Sequence, residues 1–119
     1  TVAGINVAQE FTATQNFNAT TLTDASTIAW DASANQVTSV TLGGNRTLGA
    51  STNQVDGGVY VISVIQDGTG GRTLSFNSNY KFAGGTAPTV TSTASARDIF
   101  VFKSNGTNMF EIGRSQNVS

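Results

Sequence analysis

Two short runs limit what this chain can fold into. Val59-Tyr60-Val61-Ile62-Ser63-Val64-Ile65 and Ile99-Phe100-Val101-Phe102 are apolar on both sides of an extended backbone. Side chains alternate along a strand. Val59, Val61 and Ile65 therefore point one way, and Tyr60, Ile62 and Val64 the other. In the second run Ile99 and Val101 oppose Phe100 and Phe102. A one-sided antiparallel sheet would carry a polar row on one of those faces. A second sheet covers only one side of such strands, so a flap of the chain or another subunit must cover the other. With 119 residues the chain has little to spare for a flap, which favours a subunit.

The choice of apolar residues agrees with strands. Val and Ile together number 17 against 4 Leu, with 18 Thr and 13 Gly. Branched side chains suit a pleated surface, and glycine suits the turns between strands. No window of a dozen residues carries a helical stripe. Further strands are expected at residues 27–30, 37–42, 73–76, 80–82 and 109–112. The glycine cluster at 67–71 reads as a hairpin turn joining 59–65 to 73–76, and Ser104-Asn105-Gly106-Thr107 as an Asn-Gly hairpin. Residues 83–96, with Pro88, read as a long exposed loop. The expected fold is all-β, a small antiparallel β-sandwich or a β-tripod-like domain. Residues 1–22 form an N-terminal arm or peripheral strands, and residues 23–119 a single β domain.

The chemical inventory is sparse. There is no His and no Cys, which removes Ser-His-Asp and Cys-His catalysis, imidazole bases and the usual zinc sites. Seven acids remain: Glu10, Asp24, Asp31, Asp56, Asp67, Asp98 and Glu111. A glycosidase needs two of them facing one cleft, and acids this scattered read as turn formers or surface charges. No catalytic residue, metal ligand or cofactor site is expected. Six Lys and Arg at net charge -1 make a poor basic patch, so neither nucleic acid nor membrane is an expected partner. No apolar run approaches the roughly 20 residues of a spanning helix, and the first residues lack the pattern of a leader.

Some side chains nevertheless stand out. Arg46 and Arg72 each follow a Gly pair closely and precede Thr-Leu, and Arg97-Asp98 sets opposite charges side by side before a strand. The arginine fork suits carboxylates and backbone carbonyls. These four residues are candidates for intersubunit contacts or for capping loops within one subunit. Trp30, Tyr60, Ile62, Val64, Phe100 and Phe102 are candidates for trimer or core packing. Trp30, Tyr60 and Tyr80 would also make a sugar-stacking platform if exposed, although burial suits Trp30 better.

The order of several segments is similar to a domain that recurs in tailed-bacteriophage virion proteins, among them tail fibres, tail spikes and small capsid-stabilising proteins. The segments are Ile28-Ala29-Trp30-Asp31, Thr41-Leu42-Gly43-Gly44-Asn45-Arg46-Thr47-Leu48 and Ile65-Gln66-Asp67-Gly68-Thr69-Gly70-Gly71-Arg72-Thr73-Leu74. Tyr80-Lys81-Phe82, Ala87-Pro88-Thr89, Ala96-Arg97-Asp98 and the stretch 102–110 continue the pattern. The resemblance implies a trimeric β-rich module used as structure or attachment, with no catalytic motif. Tail fibres often carry repetitive or coiled-coil stems, and this chain has none. That departure favours a trimeric capsid decoration (cement) protein on the outer capsid surface, partnered by the major capsid protein or another virion protein. The alternative is a tail fibre or spike domain that binds a host glycan. Exposed aromatics beside the 83–96 loop would mark the alternative.

Overall fold

The computed structural model describes residues 18–118. Among the described residues nine strands form two sheets: β1 (Ala19–Thr21), β2 (Thr27–Asp31), β3 (Val37–Leu42), β4 (Arg46–Thr52), β5 (Val59–Gln66), β6 (Leu74–Phe76), β7 (Tyr80–Lys81), β8 (Arg97–Ser104) and β9 (Met109–Val118). The larger sheet has the order β1-β3-β5-β8-β9-β7 and the smaller β2-β4-β6. No α-helix occurs among the described residues; one 3-10 turn spans Ala83–Gly85. Most of the expected arm, residues 1–17, lies outside the described residues. Its last part, β1, pairs with β3.

The all-β expectation holds, but the pairing is mixed. Only β5–β8 and β8–β9 are antiparallel; β1–β3, β3–β5, β2–β4, β4–β6 and β7–β9 are parallel. From β1 to β6 the chain alternates between the two sheets, laying one strand in each per turn of a flat winding. Each return to a sheet therefore runs in the same direction as the strand before it. One turn takes 18 residues from Ala19 to its partner Val37, and 28 from Arg46 to Leu74. The loop at 67–71 is accordingly a corner between sheets rather than a hairpin turn, and β6 pairs with β4 instead of β5. A four-residue loop joins β8 to β9. Asn105 Oδ1 accepts the N–H groups of Thr107 (3.0 Å) and Asn108 (2.7 Å) there, and Gly106 takes φ 93°. The expected Asn-Gly hairpin forms there.

The core lies between the sheets. Ile28, Trp30, Leu48 and Leu74 face Val40, Leu42, Tyr60, Ile62, Val64, Phe100 and Phe102 across it. Trp30, Tyr60, Ile62, Val64, Phe100 and Phe102 are all buried within the single chain. Trp30 Nε1–H donates to the Asn35 carbonyl at 2.8 Å, and Tyr60 Oη accepts the Val55 N–H at 2.9 Å, so both polar tips are satisfied. Gln66 closes the end of β5. Its Nε2 donates to the carbonyls of Arg72 and Thr91, both at 2.8 Å, and its Oε1 accepts the Arg72 N–H at 3.0 Å.

The other face of the larger sheet is neither core nor strongly polar. Val37, Val61, Val101 and Gly113 stand side by side in one row; Ser39, Ser63, Ile99 and Ser115 form the next. No charge interrupts these two rows. Val61, Ile65, Ile99 and Val101 are half-buried, and Val59 and Phe110 are each 41% exposed.

Candidate functional site

Sequence order brings three aromatic side chains to the seam between the sheets. β6 ends at Phe76. Asn77 turns the chain back: its Oδ1 accepts the Asn79 N–H at 3.1 Å, and its carbonyl accepts the Tyr80 N–H at 3.1 Å. Tyr80 and Lys81 then join the far edge of the larger sheet as β7, alongside Met109 and Phe110. Phe82 follows, and the 3-10 turn with Gly84 and Gly85 at φ 67° and 73° bends the chain away. The result is a pocket of about 330 Å³ lined by Phe76, Asn77, Ser78, Tyr80, Lys81, Phe82, Gly85 and Ala87. Ligand pockets run from about 300 to 1,000 Å³, so this one suits a single small unit of a larger ligand.

Its walls are rigid. Phe76 and Phe82 meet edge to face at 5.0 Å, Phe76 reaches Phe100 at 5.8 Å, and Phe82 reaches Phe102 at 6.0 Å. Tyr80 lies beneath, stacked on Trp30 at 6.1 Å, and its O–H donates to the Gly49 carbonyl at 2.7 Å. Burial pushes the Tyr80 phenol far above its ordinary range, only partly offset by Ser51. Tyr80 therefore acts as an apolar floor. Phe76 and Phe82 are half-buried, each backed by core and open on one side. The lining holds one charge, Lys81, and no carboxylate.

A second depression of about 330 Å³ is lined by Gly71, Arg72, Thr73, Leu74, Pro88, Thr89, Val90 and Ser92. It carries no aromatic ring, and its only charge is committed elsewhere: Arg72 pairs with Asp67 at 2.9 Å. It is the weaker candidate.

The residues singled out in the sequence fall differently. Arg46 holds Asp24 through two hydrogen bonds of 2.8 and 3.0 Å, and Arg72 holds Asp67. Both pairs tie corners of one chain. The Arg72 guanidinium and the N–H groups of Gly70 and Thr69 draw the Asp67 carboxyl down to about 2; hydrogen bonding to Arg46 lowers that of Asp24. Adjacent on β8, Arg97 and Asp98 point to opposite faces and do not pair: Arg97 is exposed and Asp98 is 1% exposed. Asp98 instead accepts from Thr91 N–H (2.7 Å), Asn117 N–H (2.8 Å) and Gln116 Nε2 (3.1 Å). Burial raises its carboxyl, and these donors more than reverse that, leaving it lowered. It clamps the 83–96 segment, which is anchored by Val90 and Pro88 rather than wholly exposed.

The platform of Trp30, Tyr60 and Tyr80 does not form, since all three rings are buried. The rings that line a pocket are instead Phe76 and Phe82, with Tyr80 beneath them. The sequence signal was present: Phe76 ends a short strand before an Asn turn, and Phe82 directly follows one before a Gly turn, which leaves one side of each ring uncovered.

A protein-family model described as "Putative phage tail fibre C-terminal domain" matches residues 3–109. No curated protein and no solved structure matches the chain.

Proposed function

The chain belongs to the phage tail fibre C-terminal domain family and is thus a structural domain of a phage virion, and from that premise we propose that it sits in the tail and attaches the particle to a glycan on the host surface. The observation that carries this reading is the pocket at the sheet seam. Half-exposed Phe76 and Phe82 offer ring faces to a sugar, and Asn77 and Ser78 offer hydrogen bonds to its hydroxyls. These partly exposed rings lie beside the 83–96 loop, where aromatics open to solvent would favour attachment over capsid decoration. The family favours the tail as well, and capsid decoration is the weaker reading.

Attachment here is binding without turnover. Glycoside hydrolysis uses two carboxyl groups facing each other across the bond, and none lines the pocket. The working form is a homotrimer. What supports that is the middle of the outer face of the larger sheet, two uncharged rows of small and branched side chains flanked by Arg97 and Lys103, which a single chain leaves uncovered among the described residues.

The experiment is glycan binding by the purified chain. Host surface polysaccharide should bind wild type, and Phe82→Ala should lose about 10-fold or more in affinity for the loss of one stacking face. Binding to emptied capsids with no affinity for host glycan would restore the decoration reading. So would hundreds of copies per particle instead of a small multiple of three.

A further inference from the structure

The charge inventory says more about the ligand, given the attachment reading on which it rests. The chain has six Lys and Arg. Three are consumed internally: Arg46 by Asp24, Arg72 by Asp67 and Arg114 by Glu111 at 2.7 Å. Lys81, Arg97 and Lys103 have no acidic partner among the described residues. Of these, Lys81 alone lines the pocket. It is fixed on β7, between Tyr80 in the floor and Phe82 in the wall, so its stem starts beside the aromatic rings.

We infer that the pocket takes an anionic sugar, whose ring lies on Phe82 and Phe76 while its carboxylate or phosphate meets the Lys81 ammonium. A neutral sugar would leave the Lys81 ammonium, which is exposed, to water. An acidic one answers it with a charge-assisted hydrogen bond, roughly twice as strong as a neutral one. Asn77 is poised to help: its Oδ1 is engaged by the Asn79 N–H, which leaves its NH₂ group as a donor toward the ligand. Lysine is a flexible point charge and does not demand the planar geometry that arginine would. Carboxylate and phosphate are therefore both admissible, and the test separates them.

The test is calorimetric titration of the full chain with three matched probes: an oligosaccharide ending in a hexuronic acid, the same oligosaccharide ending in the neutral hexose, and a hexose-6-phosphate-terminated form. At least one acidic probe should bind about 10-fold or more tightly than the neutral one, the size expected for a hydrogen bond to a charged group. That advantage should shrink as salt rises and vanish in Lys81→Met, which keeps an apolar stem of similar length. Lys81→Arg should restore the preference. Equal binding of neutral and acidic probes by wild type, or an equal loss of all probes in Lys81→Met, overturns the inference while leaving glycan attachment intact. If no probe binds and Phe82→Ala behaves as wild type, the attachment reading itself falls.

Discussion

At the scale of single residues the structure depends on a few side chains that tie loops to strands. Asp98 is the clearest. Both of its oxygens accept backbone N–H groups, from Thr91 on one side and Asn117 on the other. In Asp98→Asn one of those acceptors becomes a donor facing another donor. The expected loss is about 1–3 kcal/mol at neutral pH, read as a lower urea midpoint with an unchanged slope. Glycine offers a paired comparison. Gly70 and Gly71 have almost the same φ, 75° and 76°. A Cβ on Gly70 would lie 2.7 Å from Ala94 N and 2.8 Å from the Ser92 carbonyl, while Gly71 faces open space. Gly71→Ala should cost about 1 kcal/mol for the left-handed backbone alone. Gly70→Ala should cost clearly more, because the backbone it meets cannot swing aside. Equal denaturation midpoints for the two variants would mean that the 91–95 segment is not held where it is described.

At the scale of elements the issue is which strand faces are finished. Inner faces of β5 and β8 are sealed within the chain, with Ile62, Phe100 and Phe102 at 0% exposure. Their outer faces are the ones left for a neighbour. A charge placed there should spare the fold and break the assembly. Val101 is half-exposed in the single chain, so the far-ultraviolet dichroism of Val101→Lys should match wild type, while sedimentation should show a monomer at concentrations where the proposed wild-type trimer forms. A trimer that survives Val101→Lys would place the subunit contact elsewhere. The apolar runs of β2, β5 and β8 made these strands readable from the sequence, while apolar residues on both sides of β5 and β8 left open which side is core. Partner and direction were not readable. A run such as 73–76 is equally compatible with a hairpin to 59–65 or a return to the other sheet, and the corner at 67–71 has the same composition in either case. The repeated Gly-Gly before Arg-Thr-Leu marks two such corners, but they are out of step. Leu48 stands beside Phe76, not Leu74. The pocket escaped for a related reason: a ring's exposure depends on what the neighbouring turn fails to cover, and that is a property of the winding.

For the whole molecule the ion pairs and clamps set the response to acid. Asp24, Asp67 and Asp98 all have lowered pKa values in the folded chain, against about 3.9 for an unfolded aspartate. A depressed folded pKa means the unfolded chain takes up protons first as pH falls. These groups therefore contribute their full stability above the unfolded value, and it is lost as pH drops through the folded ones. Thermal midpoints should be level from about pH 7 to 5 and fall between about pH 4 and 2, the lower bound being set by Asp67 at about 2. Asp67→Asn should flatten part of that slope. A midpoint that rises on acidification would mean that the carboxylates are not ionised in the folded chain.

Asn77, Ser78, Gly85 and Ala87 belong to connecting segments, whereas the rings behind them are braced by Phe100, Phe102 and Trp30. On the proposed attachment role, the part that would meet the ligand can thus be rewritten without disturbing the core behind it. A virus pressed to follow a changing bacterial coat could revise a handful of codons there and keep its scaffold, so drift in host range should accumulate at this seam before it touches the strands.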